Sequence, residues 1–171
     1  MISSFFIKSS ALKIFTWIFL IPFLIGCVFI RFNQPMGVIV WPVISATGAL
    51  FWMTIIGLHL LQRSPIGGGL NKNVFKICVS ILFSLPVLLA TQPFFGLEVA
   101  EIILKPLVSF VLTICSLYCL YCISKSLTTL EFKRSSGFST YAGTLIILSM
   151  LPLGIFLVQP RVQRLSNPQT T

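Results

Sequence analysis

Five apolar runs, parted by short gaps rich in Lys, Arg, Ser, Gly and Pro, leave this chain few ways to fold. They cover about residues 14–30, 36–61, 77–97, 102–123 and 141–158. A helix needs roughly 17–25 apolar residues to cross the hydrocarbon core of a bilayer, so each run is of crossing length. The balance of the chain agrees: 56% of residues are hydrophobic, 9% are charged, and mean hydropathy is +1.01. Soluble domains hold about 45–50% apolar and about 25% charged residues, so no water-bathed core could hide this surface. The expected fold is all-α, a polytopic transmembrane helical bundle forming one integral membrane domain over residues 1–171. It has four spans plus a fifth apolar segment broken by Pro152-Leu153-Gly154, which either spans as a kinked helix or re-enters as two half-helices.

The formal charge of +9 comes from twelve Lys/Arg against three Asp/Glu. Nucleic-acid binding would need these cations on a polar face interleaved with aromatics, whereas here they sit in the gaps between apolar runs. That distribution is a topology signal. With the N-terminus inside, Lys8, Lys13, Arg63, Lys72, Lys76, Lys125, Lys133 and Arg134 are cytoplasmic, and Arg31 is outside. Arg161 and Arg164 join Arg31 if the last segment spans, or the cytoplasmic set if it re-enters. Either way the N-terminus is expected in the cytoplasm of a cell with a plasma, or inner, membrane.

Within the runs, ionisable residues are scarce, and the helix of the fourth run, opened by Glu98 and Glu101 with Lys105 one turn further in, gathers most of them. At 100° per residue, Glu98, Glu101, Lys105, Ser109, Thr113, Ser116 and Cys119 fall within roughly a third of a helix circumference. A helix surrounded by lipid has no use for such a stripe, so it is expected to face other helices. Glu101 and Lys105 stand i,i+4 in the favourable order for a direct pair. Glu98, Glu101, Lys105, Ser109 and Ser116 are the candidate polar intramembrane face, read either as a self-neutralised helix start or as an outer vestibule.

Five cysteines, Cys27, Cys78, Cys115, Cys119 and Cys122, lie inside apolar runs and are expected to pack as small residues. Leu24-Ile25-Gly26-Cys27 resembles a bacterial lipoprotein box, but Val28, Phe29 and Ile30 follow where a lipidated protein turns polar, and the run reads as an uncleaved first helix. Cys119-Leu120-Tyr121-Cys122 is a C-x-x-C that resembles the reactive pair of quinone-coupled membrane thiol oxidases. Those enzymes need that pair at the oxidising face and a second pair behind it, whereas Cys119 and Cys122 fall at the cytoplasmic end and Cys27 and Cys78 are each expected to stand alone. His59 is the one histidine and there is no Asp, so hydrolytic and metal machinery lacks its parts. Gly67-Gly68-Gly69 beside Lys72 fits neither nucleotide fingerprint and reads as a pliable basic loop. Ser124 to Thr140 reads as a second hydrophilic loop, and no cofactor is implied.

Tyr118, Ser124-Lys125-x-Leu127, Glu131, Phe138-Ser139-x-Tyr141-x-Gly143, Leu151-Pro152-Leu153-Gly154-Ile155 and Gln159-Pro160-Arg161 form a pattern over the C-terminal third. It resembles a set of small bacterial multi-pass membrane proteins with no assigned activity. Leu151 and Phe156 depart from it, since those proteins often carry an aromatic before the Pro and a Trp after the Gly-Ile. The resemblance implies that residues 125–161 are the specialised part. The functional expectation is a non-catalytic membrane protein, an accessory or assembly subunit whose partners are the bilayer and other membrane subunits or further copies. A small transporter or channel component with a Glu/Lys vestibule is the alternative, and a thiol redox protein using Cys119 and Cys122 the second alternative.

Overall fold

The computed structural model describes residues 7, 9–31, 36–64, 70–91, 98–133 and 137–166. Their regular structure is all helical: α1 (Ala11–Phe15), a π turn (Thr16–Leu20), α2 (Ile21–Arg31), α3 (Met36–Arg63), α4 (Lys72–Thr91), α5 (Glu98–Phe132), α6 (Phe138–Ser149) and α7 (Leu151–Ser166). Among the described residues three helical stretches are long and apolar enough to cross a membrane: Ala11–Val28, Trp41–Arg63 and Pro106–Phe132. Phe138–Ser149 is a shorter apolar helix.

Local chemistry sets the helix ends. The Ser10 side chain accepts from Lys13 N at 3.4 Å and caps α1. The rod then loosens into the π turn just ahead of Pro22, whose ring blocks the ordinary i−4 hydrogen bond. Asn71 Oδ1 accepts from Asn73 N at 2.9 Å and starts α4. Lys133, at φ 51°, takes the left-handed conformation just past α5 and stops it.

Small residues let the first three rods approach. A Cβ on Gly48 would meet Ile18 Cγ1 at 3.3 Å, so α3 runs close against the π turn there, with Ser45 and Ala49 buried alongside. Further along, Phe23 packs edge-on against Trp41 at 5.5 Å, and the order of these two contacts makes the rods antiparallel. Gly57 lies under the ring of Phe75, and a Cβ there would fall inside the ring's contact distance, which welds α3 to α4. Met53, Phe75, Val79, Leu82 and Cys119 then enclose a void of about 10 Å³ where α3, α4 and α5 meet.

The hydrophilic loop expected from Ser124 to Thr140 is mostly absent. α5 continues unbroken to Phe132, and Ser124, Ser126, Leu127, Thr128 and Thr129 are buried in it. The reason is local for two of them: Ser124 Oγ donates to Leu120 O at 2.9 Å and Thr128 Oγ1 to Ser124 O at 2.9 Å, so these hydroxyls are absorbed by the helix that carries them, while the buried Ser126 Oγ has no hydrogen-bond partner among the described residues.

The last apolar segment resolves into two helices with a reversal between them. Met150 leaves helical geometry at φ −88°, ψ 70°. A Cβ on Gly154 would sit 3.0 Å from Ile147 O and 3.2 Å from Leu148 Cα, so the first turn of α7 lies directly on the last turn of α6. Arg161 Nη1 reaches Thr144 Oγ1 at 3.1 Å although 17 residues separate them. A continuous helix would hold those residues about 25 Å apart, at 1.5 Å per residue. The α6–α7 pair is an antiparallel hairpin, and Gly154 is glycine because the turn leaves no room for a side chain.

Candidate functional site

The hairpin is held at its open end by a cluster of polar side chains, built mainly from α7. Gln159 is 0% exposed. Its Oε1 accepts from Trp52 Nε1 of α3 at 3.1 Å, and its Nε2 donates to Ser9 O at 3.1 Å and Ile7 O at 3.3 Å. One turn on, Gln163 Nε2 donates to Ser9 O at 2.7 Å. A buried primary amide has two donors and an acceptor to satisfy, and here the indole of α3 and the chain entering α1 supply the partners. Pro160, next in sequence, has no N–H to bond and stands exposed.

Arg161 makes the second half of the cluster. Its Nε donates to Glu131 Oε1 at 2.6 Å, its Nη2 donates to Glu131 Oε2, and its Nη1 donates to Thr144 Oγ1. The pair is bidentate, with side chains 30% and 21% exposed, which makes it stronger than an open surface bridge. One guanidinium thus ties α5, α6 and α7 together. At the last turn of α7, Arg63 Nη1 donates to Leu165 O at 2.9 Å, and His59 Nε2 lies 3.1 Å from Ser166 Oγ. The Ser166 hydroxyl donates its single proton to Val162 O at 2.9 Å, so satisfying both bonds requires the His59 tautomer with Nε2–H. These bonds place the C-terminal end of α7 beside the C-terminal end of α3.

Beside the cluster, aromatic rings line up from Tyr118 through Tyr121 and Tyr141 to Phe138, with centroid separations of 6.3, 5.5 and 5.4 Å. Lys125 donates to Tyr121 Oη at 2.9 Å and lies 5.3 Å from the ring centroid.

The stripe expected on the fourth run is only partly displayed. The side chains of Glu98, Glu101 and Lys105 lie outside the described residues, although their backbone opens α5. Ser109 and Thr113 are exposed, with Thr113 Oγ1 donating to Ser109 O at 2.8 Å, while Ser116 is half-buried and Cys119 buried. The bundle therefore covers the stripe towards its C-terminal end and leaves Ser109 and Thr113 uncovered.

All five thiols are free. Cys27 is exposed on α2, whereas Cys78, Cys115, Cys119 and Cys122 are buried together where α4 meets α5. Cys78, expected to stand alone, lies near Cys115, because the antiparallel pairing of α4 and α5 brings the two levels together. Tyr118 similarly reaches Cys122. Among the described residues, no three His, Cys, Asp or Glu side chains converge as a metal site.

Neither family models, nor curated proteins, nor solved structures yield a match to this chain.

Sequence reasoning passed over Trp52, Ser9, Thr144 and Gln163, and gave Gln159 no role of its own. A signal did exist for Trp52, since an indole N–H in the middle of an apolar run must find an acceptor. No periodicity could have shown that the acceptor lies 107 residues away.

Proposed function

We propose that this chain is a non-catalytic, multi-pass protein of a bacterial inner membrane, an accessory or assembly subunit that packs against other membrane helices. The observation that carries this reading is the face of α5 at Ser109 and Thr113. Both residues lie on a stretch apolar enough to span, both are exposed, and Leu107, Phe110, Ile114 and Leu117 stand exposed around them. Hydroxyl-bearing residues among large apolar ones on an uncovered helix suit close approach by a second helix better than contact with acyl chains. The polar cluster supports the same reading. Its donors and acceptors are spent on one another, which fixes a shape rather than opening a path for solutes.

The orientation that suits the fold is N-terminus cytoplasmic. With the hairpin returning to the side it left, Arg161 and Arg164 join the other cytoplasmic cations, and Arg31 alone remains outside apart from Lys105 within the span. Four crossings and a cytoplasmic hairpin satisfy this count, and the resemblance over the C-terminal third supports the bacterial assignment. The thiol redox alternative gains one supporting observation, the approach of Cys78 to Cys115.

Ser109→Cys and Phe110→Cys variants in native membranes test the subunit reading. A bifunctional thiol reagent should join position 109 or 110 to a discrete partner, either another protein or a second copy. Proteoliposomes of the purified chain should show no ion flux above empty vesicles. Flux that disappears in Glu101→Ala or Lys105→Ala, with no adduct at 109 or 110, would replace the subunit reading with transport.

A further inference from the structure

We propose that the α6–α7 hairpin is inserted into the bilayer tip-first, from the side on which both its ends lie, and that phospholipid acyl chains cover the outer face of α7. This rests on the membrane reading above. Two bonds set the depth. Trp52 Nε1 donates to Gln159 Oε1, and His59 Nε2 meets Ser166 Oγ, and in both pairs the residues lie 107 apart. The step from 52 to 59 on α3 equals the step from 159 to 166 on α7, so the two helices run parallel and in register. Carried along α7, this register sets Leu151 level with Ile44 and Ser166 level with His59. All of α7 therefore lies along Trp41–Arg63, a stretch of α3 apolar enough to span. A cap standing in water would begin where that stretch ends, whereas α7 has its last turn there, with Arg63 bonded to Leu165 O. From Ser166 to Leu151 the helix rises about 22 Å, more than half of a core roughly 30 Å thick, so the reversal at Met150 falls in the far leaflet.

The side chains of α7 select what covers it. Ile155, Val158 and Val162 form its inner side and are fully buried in the bundle. On the opposite side Leu153, Leu157 and Arg164 are exposed, and at 100° per residue they fall within about 40° of one another, with exposed Pro160 beside them. Contact between membrane helices favours small and hydroxyl-bearing residues, as at Ser109 and Thr113. The outer strip of α7 has none, and its leucines are side chains that hydrocarbon accepts readily. The order along the strip agrees with the depth. Leucines come first, towards the reversal, and the cation comes last, towards the end that Arg63 marks. There the long stem of Arg164 can carry its guanidinium out to the phosphate layer.

Spin labels read the cover of α7 directly. The full-length Cys27→Ser protein, whose remaining thiols are buried, takes a nitroxide at Leu153→Cys, Leu157→Cys or Arg164→Cys and is studied in phospholipid vesicles. All three sites are exposed, so the labelled proteins should stay monodisperse before reconstitution. Oxygen concentrates in hydrocarbon, and a water-soluble nickel chelate stays out of it. The ratio of oxygen to nickel collisions at positions 153 and 157 should exceed that at 164 several-fold. Ratios at 153 and 157 no higher than at 164 would put the hairpin in water and overturn the proposal. Few collisions with either probe at 153 and 157 would put a second helix, from another copy or another protein, on α7, and would overturn it too. Extraction of the unlabelled protein by alkaline carbonate would instead defeat the membrane reading itself. A missing cross-link at 109 or 110, on another helix, would defeat the subunit reading alone, so the failures are separable.

Discussion

Replacing Gln159 with leucine tests whether the polar cluster holds the hairpin in place. Leucine is of similar volume and is at home in an apolar bundle, so packing changes little. What changes is hydrogen bonding. Trp52 Nε1–H loses its acceptor, and Ile7 O loses its donor, while Ser9 O keeps the bond from Gln163. Trp52 is 1% exposed, so its indole has no water to turn to. A buried donor left unpaired costs about 1–3 kcal/mol, and Ile7, less buried, adds little. The expected loss is therefore about 2 kcal/mol, or roughly thirty-fold in the unfolding equilibrium. Reversible unfolding in mixed micelles, followed by tryptophan fluorescence and circular dichroism, measures it. Trp52→Phe removes the other partner, and in the double variant neither group is orphaned. The two costs should fall short of additive by about 1 kcal/mol or more. A Gln159→Leu protein as stable as wild type, or strictly additive costs, would refute the idea that this bond fastens α7 to α3.

Glu131→Gln keeps the shape of the side chain but leaves the Arg161 charge half-buried without its counter-ion. It should cost about 1–3 kcal/mol in the same unfolding assay, between the values for open and fully buried pairs. Gly57→Val should be more damaging, because the Phe75 ring occupies the space a side chain would need. The expected readout is loss of the monodisperse detergent-solubilised species, whereas Gly143→Val, at a position open to its surroundings, should leave it intact. Copper phenanthroline should join Cys78 to Cys115 within one chain, identifiable as a linked peptide pair and absent in Cys78→Ser. In spheroplasts, an impermeant maleimide should fail to label Ser166→Cys until the membrane is opened, since α7 ends beside Arg63; labelling of intact spheroplasts would place α7 on the outer side.

How much of this was legible beforehand depends on the kind of force involved. The helical class and the membrane-scale lengths follow from apolar runs, which report burial directly. The break near Pro152 and Gly154 was also visible, because those residues announce where a helix weakens. Its direction was not. Reversal at Met150 is decided by Arg161 finding Thr144 and Glu131, and by the Ile147 backbone accepting a glycine against it. None of those pairings leaves a trace in periodicity. Residues 124–132 misled for a different reason. A run of Ser, Thr and Lys scores as loop, yet hydroxyls that bond back to their own helix present little polarity to its neighbours, and Ser124 and Thr128 do this. The thiols show the same limit, since sequence spacing finds Cys119 and Cys122 on one helix but not Cys78 across the interface.

The C-terminal pattern that first set residues 125–161 apart can now be given a physical content. Lys125 seats on Tyr121, Tyr121 meets Tyr141, Glu131 grips Arg161, Gly154 makes the turn passable, and Gln159 takes the Trp52 indole. These positions share no helix face and no spacing, yet each serves the same object, a short hairpin pinned at its open end to α3, α5 and the chain entering α1. A segment that merely crossed the bilayer would need none of them. Lipid would cover its sides, and its ends would float among headgroups. A segment that turns back must instead bring two helix ends to one level, one with unpaired carbonyls and the other with unpaired N–H groups. The polar side chains of 125–161 are what make that arrangement stable, so variation within the pattern should track the hairpin's docking rather than any property of the long helices that precede it.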